Sequence, residues 1–112
     1  MASPRRKEYH KLVRDRIPEI IMRAGQKPIF RRVQGEELKQ YAGAKILEEA
    51  KEFAQSGDLN ELVDLLEAIY FRLQLEGISA QEAHRRMAER RHERGGFEGG
   101  VVLERVERLP AQ

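Results

Sequence analysis

Among its 112 residues the chain has no cysteine and no tryptophan. Without thiols it has no disulfides, no thiolate nucleophile and no cysteine-ligated zinc, and a reducing cytoplasm is the expected setting. No apolar run approaches the length of a membrane span, and no apolar segment follows the basic start MASPRRK to make a signal peptide. The net charge is only +2 although 36% of the residues are charged, which excludes a polycation built to coat nucleic acid. The basic residues do cluster, at Arg85, Arg86, Arg90, Arg91 and Arg94. Surfaces that bind single strands usually add aromatic rings for stacking, and here the only aromatic nearby is Phe97, apart from His84 and His92. Polynucleotide binding is therefore disfavoured.

Carboxylates at helical spacing are what the chain does have. In KILEEAKEFAQSGDLNELVD, residues 45 to 64, Glu49 and Glu52 stand three apart, as do Glu61 and Asp64. Residues at that spacing share a helix face. Gly57 and Asp58 mark a turn between the pairs, and so short a link predicts two antiparallel helices with their acids facing across the seam. Hard oxygen ligands in that number suit Mg²⁺. The competing reading is of solvated surface glutamates. The helical wheel favours the former, since Glu49 falls within the apolar arc of Leu38, Ala42, Ile46, Ala50 and Phe53, with Glu52 at its edge beside Lys45. On the next helix, Glu61, Asp64, Ala68, Phe71 and Leu75 follow the 3,4,3,4 spacing of a packing seam, and Leu62, Val63, Leu66, Ile69 and Leu73 make a second, broad apolar face. Buried like charges repel strongly unless a cation joins them. Two positions stay open. Asp58 followed by Glu61 also fits a capping box, and Glu48 points away from the apolar arc, as a supporting or surface residue would.

The rest of the chain reads as one domain over 9–107, between a basic tail at 1–8 and a short tail at 108–112. Asp15 and Pro18 predict a helix start and Gly25 its end, with Leu12, Val13, Ile17, Ile20 and Ile21 docking it. By spacing alone Lys11, Arg14 and Arg16 are a solvated face. Helices are predicted over about 36–55, over Leu59 to Glu76, and from a Ser79/Glu82 capping box to about Arg94. PIFRRV (28–33) and VVLERV (101–106) read as short extended segments that would pair as a peripheral β-ribbon against the helices. RGGFEGG (94–100) is a turn whose glycines permit close approach of a ligand. The expected fold is an all-α antiparallel helical bundle. Two apolar faces on one helix of so small a chain predict a homo-oligomer, a dimer by preference.

Three segments in this order, KLVRDRIPEII (11–21), the EExxE with ExxD of 48–64, and ERGGFE (93–98), are similar to one family. The chain resembles the MazG-like all-α nucleoside triphosphate pyrophosphohydrolases, in their phosphoribosyl-ATP pyrophosphohydrolase-like branch of house-cleaning enzymes for noncanonical nucleotides. The resemblance implies Mg²⁺, or Mn²⁺ in its place, on Glu49, Glu52, Glu61 and Asp64. It also implies cleavage of a nucleotide between its α- and β-phosphates to a monophosphate and pyrophosphate, in four-helix bundles assembled from more than one chain. Glu48 is then the candidate base for the attacking water. Lys11, Arg14, Lys45 and Arg94, in or beside the matched segments, are candidates for holding the phosphates, since a triphosphate needs more cation than one Mg²⁺ supplies. A helical binding or regulatory module without turnover is the other reading. A di-iron carboxylate bundle ranks lowest, since neither acidic pair contains the histidine of a Glu-x-x-His site.

Overall fold

The computed structural model describes residues 6–111, so residues 1–5 of the expected N-terminal tail and Gln112 lie outside the described residues. Four helices follow in order: α1 Ile17–Arg23, α2 Gly35–Ser56, α3 Leu59–Leu75 and α4 Ala80–Arg94. The chain divides into two compact units, the first reaching Ala80 and the second beginning at Gln81. No described helix is long and apolar enough to cross a membrane.

The first unit is built on the α2–α3 hairpin. Lys39 near the start of α2 pairs with Glu76, just past the end of α3, at 3.2 Å, which fixes the antiparallel direction. The seam follows the helical wheel. Ala42 and Glu49 of α2 and Ala68 of α3 are buried, with Leu38, Ile46, Ala50, Phe53, Glu61, Asp64, Phe71 and Leu75 half-buried around them. Small residues at 42 and 68 bring the helices close enough for the side chains between them to meet. The second apolar face of α3 is not covered: Val63 is 61% exposed and Leu66 49%.

The hairpin turn is set by one conformation. Gly57 ends α2 in the left-handed region, φ 68°, and its N–H donates to the Phe53 carbonyl at 2.8 Å. A Cβ at this position would meet open space, so Gly57→Ala isolates the backbone strain. We expect it to destabilise the fold by about 1–2 kcal/mol. Urea unfolding should show this as a lower midpoint with an unchanged slope.

Asp58 caps α3 by accepting from the Asn60 N–H at 2.9 Å. The reciprocal half of a capping box is missing, because the Asp58 N–H donates to Ser56 Oγ at 3.0 Å rather than to Glu61. Glu61 is thereby left to the seam.

Two expectations change. α1 starts at Ile17, with Pro18 in its first turn and Arg16 as a cap that makes no side-chain bond, and Ile20 is exposed while Leu12, Val13, Ile17 and Ile21 are half-buried. No strand forms among the described residues, so 28–33 and 101–106 are irregular and the peripheral β-ribbon is absent. Pro28 lacks an N–H to give to a ladder, and Arg31 turns instead to Glu37 in a two-pronged pair at 3.1 and 2.6 Å.

The second unit holds most of α4 and the chain after it. Its arginines are largely met by acids nearby in sequence: Arg85 by Glu82 and Glu89, Arg86 by Glu82, and Arg91 by Glu98. Arginines engaged in this way offer a polyanion less free charge.

Candidate metal centre

Helix α2 brings Glu49 and helix α3 brings Glu61 and Asp64 to one place, where one carboxylate oxygen from each lies within 4.8 Å of the others. Each element supplies its acids through the three-residue spacing or the seam position described above. Glu49 is 5% exposed, and its Oε2 is buried without a hydrogen-bond partner. Such an atom forfeits its hydration with no return unless a ligand joins it. Its Oε1 is met by Lys45 Nζ at 3.1 Å, one helical turn back.

Ligands on opposite sides of one Mg²⁺ stand about 4.2 Å apart, twice the usual bond length. Neighbouring oxygens on such an ion stand closer, about 3 Å apart, so the three side chains, with oxygens within 4.8 Å of one another, would draw together to share it. Their chemistry fits as well, being all hard, anionic oxygen with open approach from the half-exposed Glu61 and Asp64.

Glu52 does not join that trio. Glu49 and Glu52 both lie near enough to the Glu61 carboxyl to favour its protonated form as acceptors of its one O–H. That effect, followed by partial desolvation and the negative charge of both neighbours, pushes the Glu61 carboxyl up to about 7. Without metal, Glu61 therefore gains a proton as pH falls through about 7.

The sign of the resulting pH effect follows. Because Glu61 binds its proton more tightly when folded, the metal-free fold gains stability as pH falls through about 7 toward the ordinary carboxylate range, and loses it as pH rises. Metal binding runs the other way, since the ligand must ionise. We expect the Mg²⁺ association constant to rise up to tenfold per pH unit below about 7 and to level off above. Calorimetric titration across that range tests the first half and metal-free thermal melts the second.

Three of the four cations picked from the sequence come to the acids. Lys11 Nζ bonds Glu48 Oε1 at 2.7 Å, Lys45 Nζ bonds Glu48 Oε2 at 3.0 Å, and Arg14 Nη2 bonds Asp64 Oδ1 at 2.8 Å. Spacing alone put Lys11 and Arg14 on a solvated face. Both are exposed, and they also tie the segment before α1 to the hairpin, while Arg16 stays on its own helix, 3.3 Å from Glu19. Glu48 does not point idly to solvent either. Partial burial pushes its carboxyl up, but the two lysines outweigh this and hold it below its ordinary range. The same acids hold Lys45 above its ordinary value against the opposing effect of burial. Arg94, the fourth cation, ends α4 in the second unit and is exposed.

A recess of about 510 Å³ opens beside Glu48 and Lys45, lined also by Tyr9, Lys11, Gln40 and Tyr41. Tyr9, Gln40 and Tyr41 were not among the residues picked from the sequence. For Tyr41 the available signal was its place one turn ahead of Lys45.

No family description, characterised protein or solved structure matches the chain in sequence or fold.

Proposed function

We propose that the chain is a Mg²⁺-dependent nucleotide pyrophosphohydrolase of the MazG-like all-α superfamily, in the phosphoribosyl-ATP pyrophosphohydrolase-like branch. It would cleave the α–β phosphoanhydride of a noncanonical nucleoside triphosphate or related nucleotide in the cytoplasm. The observation that carries this reading is the buried Glu49, whose Oε2 has no partner, grouped with Glu61 and Asp64, with lysines and an arginine bonded to the acids around it. Cations beside a carboxylate cluster would also suit the oxygens of a phosphate bound there.

Glu49, Glu61 and Asp64 would hold the ion, with Glu52 beside Glu61. A bound Mg²⁺ supplies charge neutralisation of the phosphates and a more acidic water. Lys11 and Lys45, now on Glu48, and Arg14, now on Asp64, would turn to the phosphate oxygens and orient the chain of phosphates. That exchange frees the Glu48 carboxylate to accept a proton from the attacking water as the bridging P–O bond breaks. The products are the monophosphate and pyrophosphate.

Incubation with Mg²⁺, and separately with Mn²⁺, and a panel of canonical and modified nucleotides tests the reading. Pyrophosphate in equal amount to monophosphate supports it. Nucleotide binding without pyrophosphate from any member would mark a non-catalytic binding module instead.

We propose further that the working form is a homodimer whose α3 faces pair, which would give the exposed leucines and Val63 a core to enter.

A further inference from the structure

Two of the three acids that meet at the seam already pair with a cation of the chain itself, and the two cations differ in how firmly they are tied. Lys45 lies one turn from Glu49 on α2 and divides its ammonium between Glu49 Oε1 at 3.1 Å and Glu48 Oε2 at 3.0 Å. Its helix fixes that spacing, and its side chain is only 19% exposed. Arg14 comes from elsewhere. It stands on the irregular segment ahead of α1, 50 residues from Asp64 in sequence, and its Nη2 donates to Asp64 Oδ1 at 2.8 Å. Its backbone is held, since its carbonyl accepts the Ile17 N–H at 3.0 Å, so only the side chain needs to move. Arg14 is 54% exposed and Asp64 41%, so the guanidinium can swing away at small cost. Lys11 keeps the segment on α2 through Glu48 meanwhile, at 2.7 Å.

We propose that Arg14 is a positioning residue that competes with the metal for Asp64 and is drawn off by phosphate, so that metal and nucleotide each strengthen the other's binding. The proposal rests on the reading of Glu49, Glu61 and Asp64 as ligands of Mg²⁺ in a site for phosphates. A divalent ion on Asp64, whichever oxygen it took, would share one carboxylate with the guanidinium, and two positive charges a carboxylate's width apart repel. The arginine must leave before the full charge of Asp64 serves the metal. Phosphate gives it somewhere to go, because a guanidinium can exchange a carboxylate for phosphate oxygens and stay paired. Linkage then makes the effect reciprocal. Arg14 thus lowers the affinity for metal alone and raises the affinity for phosphate. A residue that only bound phosphate would do the second without the first. One that only held the fold together would weaken both on removal.

Opposite signs in one variant are therefore the test. Calorimetric titration of the full-length Arg14→Gln protein with Mg²⁺ alone is expected to show binding roughly two- to fivefold tighter than in the wild type, the factor that an exposed ion pair corresponds to. Inorganic pyrophosphate, titrated at saturating Mg²⁺, should bind the same variant at least about tenfold more weakly. Arg16→Gln removes the same charge two residues on, from a side chain that stays with Glu19, and should leave both affinities as they are. The proposal is overturned if Arg14→Gln binds Mg²⁺ no more tightly than the wild type, if Arg16→Gln tightens Mg²⁺ as much, or if pyrophosphate binds the Arg14 variant unchanged. Failure of the underlying site looks different. A wild type that takes up neither Mg²⁺ nor Mn²⁺ removes the metal centre and the competition together. Wild-type Mg²⁺ binding that Asp64→Ala abolishes, beside an Arg14→Gln affinity equal to the wild type's, overturns the competition alone.

Discussion

Asp64→Ala and Glu49→Ala are each expected to lower Mg²⁺-dependent pyrophosphate release by at least about 100-fold while leaving the helical circular dichroism in place. Loss of residues that merely orient metal ligands already costs 10–100-fold, and these two would hold the ion themselves. The fold should tolerate the changes because the acids repel one another in the absence of metal. Glu49→Ala removes a buried carboxylate with an unpartnered oxygen, and Lys45 keeps Glu48 as an acceptor at 3.0 Å. Asp64→Ala strips Arg14 of its partner, but the pair is about half-exposed, and such pairs contribute only about 0–1 kcal/mol. Mg²⁺ titration by calorimetry separates the causes: lost affinity with retained helicity assigns the acids to metal, whereas lost helicity assigns them to the fold. Near-normal release in both variants would remove these acids from the site.

The same residues show how far spacing carries. The seam was legible because a 3,4,3,4 stripe on α3 and the arc around Ala42 on α2 each specify a face, and burial of Glu49 followed from its place within that arc. What spacing could not show was which of several available partners a polar group takes. Asp58 and Glu61 have the separation of a capping box, yet Ser56 sits one residue before Gly57 and its Oγ takes the Asp58 N–H first. Lys11 and Arg14 look like a solvated pair in their own segment, whereas their partners lie 37 and 50 residues away. Periodicity within a segment has no access to such pairings. The resemblance to pyrophosphohydrolases did single out both residues, though for phosphate rather than for Glu48 and Asp64. Glu52 was placed with the metal ligands by its distance from Glu49. One turn of helix carries it to the edge of the seam, where it meets the Glu61 carboxyl. The extended look of PIFRRV rested on alternation alone, and alternation does not supply the third strand or the cover that a two-stranded ribbon needs.

The proposed pairing of α3 faces leads to the second large expected effect, dissociation of that dimer by Val63→Glu with Leu66→Glu. Both residues lie on the broad face of α3, with Leu62 at 38% and Ile69 at 36% exposure beside them, and apart from the seam that carries Glu61 and Asp64. Two helices in contact can each bury only one stripe, and the stripe they bury here is partly acidic. The more apolar face is thus left for a neighbour. In a four-helix bundle of two hairpins that face becomes the core, and two glutamates there would be desolvated without partners, at a cost of several kcal/mol. Because so little else is buried, separation should carry the fold with it: the variant is expected to be monomeric by sedimentation and to lose helicity. The wild-type melting temperature should rise with protein concentration, as it does whenever folding and association are linked. A wild type that is monomeric and melts cooperatively at a temperature independent of concentration would show instead that the hairpin stands alone with its apolar face in water.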